Sequence, residues 1–182
     1  EDLIADENVV ITISHAGYIK RTNLTEYKTQ NRGGVGQKSA GTRDQDFLEN
    51  MFVATNHQYM MFFTQKGKCF WMRVYEIPEG SKTAKGRAIQ NLVNIESDDK
   101  VKAFICTQDL RDKDYVNSHN LIMVTKQGQV KKTSLEKYSK PRVNGVAAIT
   151  IKEGDELLEA KLTNGESQII LAVKSGKLVR FE

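Results

Sequence analysis

The chain has 182 residues and a net charge of +4, with 39 % hydrophobic and 27 % charged residues. That balance fits a soluble globular chain and excludes a disordered one. No apolar run is longer than Tyr59–Phe63, far short of a bilayer span, and the acidic start Glu1-Asp2-Leu3-Ile4 is no signal peptide.

In chain order, the first predicted element is a hairpin, Val9–Ile13 and Tyr18–Thr22 about a turn ending in Gly17. Apolar, β-rich runs flanking a polar turn that ends in Gly carry this signature, because Gly supplies the positive φ of a tight turn. Tyr27 follows, then the loop Gln30-Asn31-Arg32-Gly33-Gly34-Val35-Gly36-Gln37-Lys38. Asp44–Phe52 has weak helical periodicity. The second hairpin, Tyr59–Met72, turns at Gly67; the third, Leu121–Thr133, turns at Gly128. A second weakly helical stretch, Glu156–Leu162, precedes a fourth hairpin that turns at Gly176. The run at Leu178–Glu182 stops mid-strand, and the chain starts without Met, so it reads as a piece of a longer polypeptide.

These hairpins are an internal repeat. Their glycines are 50, 61 and 48 residues apart. A second glycine, Gly36, Gly86 or Gly145, follows 19, 19 and 17 residues after each of the first three. Lys20-Arg21-Thr22 and Lys131-Lys132-Thr133 share one offset, where the second repeat has Phe70-Trp71-Met72. Short strands at a period near 50 predict an all-β stack of four-stranded, propeller-like blades. The blade-like repeats span about 8–56, 57–118, 119–166 and an incomplete 167–182.

Charge follows the repeat. Residues 17–43, 66–87 and 126–142 hold 18 Lys or Arg against 4 acids, a net of +14, and the rest of the chain carries −10. Radial repetition would bring such stretches to one face or rim, which suits a polyanion held by its backbone. There is no recognition helix or zinc finger for reading bases. Tyr18, Tyr27, Phe70 and Trp71 alternate with apolar strand residues and are expected in the core.

Enzymatic patterns fail. Lys38 does not follow a glycine as a P-loop requires, and Ser39 stands where G-x-G-x-x-G needs a third glycine. His15, His57 and His119 are too far apart for a local metal pair and are expected to be exposed and unpartnered. Cys69 and Cys106 lie in apolar contexts with no C-x-x-C, which excludes a disulfide framework and a cysteine zinc site and fits a reducing compartment.

The loop after Tyr27 resembles the C-terminal domain of the DNA gyrase A subunit, whose first blade carries a seven-residue box, usually Gln-Arg-Arg-Gly-Gly-Lys-Gly. Gln30, Arg32, Gly33, Gly34 and Gly36 match it, while Asn31 and Val35 depart, each removing a positive charge. Val74-Tyr75-Glu76-Ile77-Pro78-Glu79-Gly80 and Thr83–Ile89 are similar to the family's second blade. The resemblance implies a β-pinwheel with strands exchanged between neighbouring blades, here about three and a half of an expected six. It implies double-stranded DNA wrapped on a basic perimeter, in support of negative supercoiling by an ATP-dependent type IIA topoisomerase. The partners would be the gyrase B subunit together with the rest of the A subunit, in the bacterial cytoplasm with the nucleoid. ATP and Mg would act elsewhere in that complex, leaving this stretch non-catalytic and without a cofactor or metal. The implied DNA contacts are Arg32 and Lys38 at the box, with Lys20, Arg21, Lys66, Lys68, Lys85, Arg87, Lys131, Lys132, Lys140 and Arg142 along the path. The rivals are the equivalent domain of topoisomerase IV, where the box is degenerate or absent, and a protein-interaction scaffold. WD40 and kelch signatures are lacking.

Overall fold

The computed structural model describes residues 3–28, 46–164, 169–172 and 178–181. The seven-residue box at 30–36 and Lys38 lie outside them. The described elements are β1 (Asn8–Ser14), β2 (Tyr18–Asn23), α1 (Leu24–Lys28), β3 (Leu48–Thr55), β4 (Tyr59–Thr64), β5 (Lys68–Arg73), β6 (Arg87–Ala88), β7 (Val101–Thr107), α2 (Lys113–Ser118), β8 (His119–Thr125), β9 (Val130–Ser134), β10 (Val146–Ala147), β11 (Leu157–Asn164), β12 (Ile169–Ala172) and β13 (Leu178–Phe181). The chain divides into two compact units, 1–58 with 73–92 and 59–72 with 93–182.

The first unit contains one antiparallel sheet in the order β3-β1-β2-β6. Val9, Val10, Ile11, Ile13 and Ile19 are almost wholly buried, so β1 is apolar on both faces rather than alternating. Its fourth strand is not local. β6 pairs with β2 through Tyr18↔Ala88 and Ile19↔Arg87, although a whole second hairpin lies between them in sequence.

The second unit repeats the device. One sheet runs β10-β5-β4-β7, and β10 joins β5 through Val146↔Cys69 after the third hairpin has intervened. Another sheet runs β11-β8-β9, and β12 pairs with β13. The core of this unit lies between the first two of these sheets. Met61, Phe63, Cys69, Ala103 and Ile105 pack with Leu121, Met123, Leu157 and Ala160, and the Tyr138 ring meets Phe63 edge-on at 6.5 Å.

The paired glycines now have a physical reason. Gly17, Gly67 and Gly128 have φ of +88°, +87° and +90° at the hairpin turns. Gly86 and Gly145 stand directly before the exchanged strands, where the chain lies on a neighbouring hairpin. A Cβ at Gly86 would overlap Ile19 O, and one at Gly145 would sit 2.8 Å from Cys69 O.

Both weakly helical stretches are corrected. Residues 48–55 and 157–164 are β3 and β11, held by extended antiparallel registers to β1 and β8. Pairing with an apolar neighbour overrides weak local periodicity in segments this short. The two short helices that do form among the described residues, α1 and α2, were missed. Asp112 caps α2, its side chain accepting from Asp114 N and Tyr115 N, and that Asp was a legible start signal.

Candidate nucleic-acid interface

In the first repeat, β2 carries Lys20 and Thr22 on one face, since strand side chains alternate. Lys20 is only 7 % exposed. Its Nζ donates to Ser81 O at 2.9 Å, Lys82 O at 2.7 Å and Ala84 O at 2.7 Å. Burial lowers its pKa, partly offset by the Glu26 charge. Thr22 Oγ1 donates to Gly80 O at 2.9 Å. Arg21 Nε donates to Ile77 O at 3.1 Å. The ammonium expected to face DNA at Lys20 is thus turned onto the backbone of its own unit, and Arg21 is directed the same way.

The loop so held presents other cations. Lys85 and Arg87 are exposed and Lys82 is half-buried. Lys85 Nζ lies 4.2 Å from the Tyr18 ring centre and Lys82 Nζ 4.7 Å from that of Tyr27, so these rings support cations rather than fill a core. Phe70 is 2 % exposed, as expected of a core ring, and Trp71 Nε1 donates to Tyr138 O at 3.1 Å.

The second repeat presents cations that are already paired. Lys66 Nζ lies 2.5 Å from Asp98 Oδ2 and 3.5 Å from Glu96 Oε2, while Lys68 Nζ lies 3.2 Å from Glu96 Oε1. The hydrogen bond to Asp98 raises the Lys66 pKa, that from Lys68 lowers Glu96, and that from Lys66 lowers Asp98. These groups are solvent-exposed, so each pair is individually weak.

The third repeat differs again. Lys131 Nζ donates to Ala148 O at 2.8 Å. Lys132, Lys137, Lys140 and Arg142 are exposed. Lys131, Thr133, Lys137, Lys140 and Arg142 line a cleft of about 490 Å³. Lys137, and Lys82 in the second repeat, were not singled out in the sequence, although both sit inside the basic stretches.

Among the described residues the histidines and cysteines assemble no site. His15 stacks on Phe47 at 4.8 Å and its Nδ1 lies 3.3 Å from Glu49 Oε1; His57 Nε2 donates to Ile4 O at 2.7 Å; His119 Nδ1 donates to Tyr115 O at 2.8 Å. They are partnered, contrary to expectation, but they do not converge. Among the described residues no His, Cys, Asp or Glu cluster could hold a metal. Burial pushes the Cys106 thiol up to about 11 and Cys69 well above its ordinary value, so neither is a ready nucleophile. No helix among the described residues is long and apolar enough to cross a membrane.

Comparison with known proteins fits this geometry. The family described as "DNA gyrase C-terminal domain, beta-propeller" matches residues 8–55, 58–108 and 119–164. The DNA gyrase A subunit of Neisseria gonorrhoeae is 42 % identical over 181 residues, covering 100 % of this chain and 19 % of the relative. That of Campylobacter jejuni is 44 % identical over 172 residues, covering 94 % and 19 %. The chain therefore spans about a fifth of the curated relatives it matches. Among solved structures, the C-terminal domain of DNA topoisomerase IV gives a TM-score of 0.76 at 27 % identity, covering 99 % of this chain and 53 % of that one. The DNA gyrase A C-terminal domain gives 0.65 at 22 % identity, covering 90 % and 50 %, which shows the β-pinwheel fold alone. With the family matched across three consecutive repeats, the chain belongs to the DNA gyrase C-terminal domain family.

Proposed function

We propose that this chain binds double-stranded DNA through its phosphate backbone and bends it, as the wrapping surface of a gyrase-type topoisomerase. The observation that carries this reading is the set of exposed cations Lys85, Arg87, Lys137, Lys140 and Arg142, placed on the loops about Gly86 and Gly145. Gly-dependent close packing fixes those loops on the sheets, so the cations are held in place rather than trailed on flexible chain. Bending a 20–30 bp site by 40–90° costs on the order of 1–6 kcal/mol, which calls for several phosphate contacts along an arc. Lys66, Lys68 and Lys132 add to the path, and Arg32 and Lys38 of the box are proposed contacts by family likeness. Lys20, Arg21 and Lys131 are left out, because their charged groups donate to backbone carbonyls. The gyrase A and B subunits are the proposed partners, in the cytoplasm with the nucleoid. ATP and Mg belong to the rest of that complex.

The test is a titration of long and short duplexes across a salt series. Binding should tighten with duplex length, show little sequence preference, and weaken with a log–log slope of about −0.9 for each phosphate neutralised. Sequence-dependent binding, or none even at low salt by this chain and by a full-length domain, overturns the reading. Arg32→Ala separates the gyrase role from that of topoisomerase IV: it should reduce wrapping measured by topoisomer shift, and an unchanged shift removes the box from the proposal.

The acidic pair of the second repeat gives another expectation. Glu96→Gln with Asp98→Asn frees Lys66 and Lys68 and removes repulsion toward phosphate. DNA affinity should rise by about tenfold at low salt, with the slope steeper by one to two contacts. Fluorescence anisotropy checks it, and unchanged affinity would place Lys66 and Lys68 off the DNA path.

A further inference from the structure

Among the described residues Lys20 is the most deeply buried cation on the hairpins, and nothing in the interface explains it unless it works from behind. An ammonium has three N–H donors and no acceptor. All three of Lys20 reach carbonyls, those of Ser81, Lys82 and Ala84, and Thr22 reaches the carbonyl of Gly80. Four carbonyls of one loop are therefore turned onto β2. With its backbone drawn inward, the loop leaves Lys85 and Arg87 facing solvent.

The same residue types recur two repeats later. Lys131 and Thr133 stand at the offsets from Gly128 that Lys20 and Thr22 have from Gly17. Here the latch is not filled. Lys131 makes one bond, to Ala148 O. Thr133 Oγ1 is buried and reaches only the Tyr138 hydroxyl, which itself donates to Ala148 O at 3.1 Å, and no loop carbonyl. Both residues line the 490 Å³ cleft. Among the described residues this sheet has three strands where the two before it have four, the fourth being the exchanged one. In the first repeat the equivalent Thr22 hydroxyl donates to a loop carbonyl, and a carbonyl from a docked loop would give Thr133 the same acceptor.

We propose that the Lys-x-Thr of each such hairpin is a latch for the backbone of an exchanged loop. Lys20 and Thr22 are positioning residues that hold the basic loop 80–87, and Lys131 and Thr133 form an open latch for the corresponding loop of a following repeat. The part of this that concerns DNA rests on the function proposed above.

The experiment reads the latch and the DNA separately. In the 182-residue chain, Lys20→Met should speed amide hydrogen exchange across Gly80–Arg87 by about tenfold or more. It should also weaken DNA binding at every salt concentration while leaving the salt slope unchanged. Lys85→Ala should do the reverse, lowering the slope by about one contact with exchange protection unchanged. If Lys20→Met lowers the slope as Lys85→Ala does and leaves exchange unaltered, Lys20 is a phosphate contact and the latch is wrong. If the wild type binds no DNA, the exchange measurement still decides the latch. Thr22→Val serves where Lys20→Met does not fold. Thr133→Val decides the open latch: it should leave the thermal midpoint of this chain unchanged or raise it, yet lower it in a chain lengthened by the next native repeat. An equal loss at both lengths overturns the open latch.

Discussion

Gly67→Ala should cost roughly 3–5 kcal/mol of folding stability, whereas the same change at Gly17 or Gly128 should cost about 1–2 kcal/mol. The three glycines have the same backbone conformation, φ near +88°. For an L-residue that left-handed geometry alone costs about 1–2 kcal/mol. The difference lies in what surrounds them. Nothing lies within 4 Å of a Cβ built at Gly17 or Gly128. At Gly67 it would overlap Ile149 O and fall 2.9 Å from Ile151 Cγ1. Neither the carbonyl nor the strand can yield locally, because Ala148 N and Ile149 N both donate to Gly67 O, at 2.8 and 3.1 Å. Making room means lifting the exchanged strand, which loses two hydrogen bonds of about 1 kcal/mol each and opens the core beside Ile149. Urea denaturation of the three variants checks the contrast. A Gly67→Ala cost within about 1 kcal/mol of that at Gly17 would mean the exchanged strand is not seated as described.

That contrast marks the limit of what the sequence shows. The hairpin glycines were legible because a tight turn leaves a local signature. The second glycines were legible as a recurrence, but their cause was not, since the backbone they clear belongs to a hairpin 67 or 76 residues earlier, Ile19 for Gly86 and Cys69 for Gly145. Exchange also explains why the repeat boundaries in sequence differ from the sheets. β6 lies in the second repeat and completes the first sheet; β10 lies in the third and completes the second.

Charge was legible in amount and position but not in availability. Lys20 and Lys85 read alike in the sequence. One is buried against three carbonyls, and the other is exposed beside a Tyr ring. Lys66 and Lys68 look like the strongest cations of the second repeat until Glu96 and Asp98, some thirty residues on, are found beside them. Whether a cation is free depends on long-range pairing, which local pattern does not encode.

The largest loss of DNA affinity should accordingly come from the third repeat. Lys137, Lys140 and Arg142 are exposed, and among the described residues no ion pair of theirs is found. If each neutralises one phosphate, replacing all three by Ala removes about 2.7 from the log–log salt slope and lowers affinity at 0.1 M salt on the order of a few hundredfold. Replacing Lys66 and Lys68 should cost less than about tenfold, because those ammoniums must first leave carboxylates that hold them in free protein. Their sequence neighbourhoods would predict near-equal effects, so the comparison tests the structure rather than the composition. Both variants keep their sheets, since none of the five side chains belongs to the buried core. Circular dichroism should be unchanged while anisotropy titrations diverge. Equal losses from the two replacements would show that DNA exchanges freely with Glu96 and Asp98, and that exposure rather than pairing sets the path.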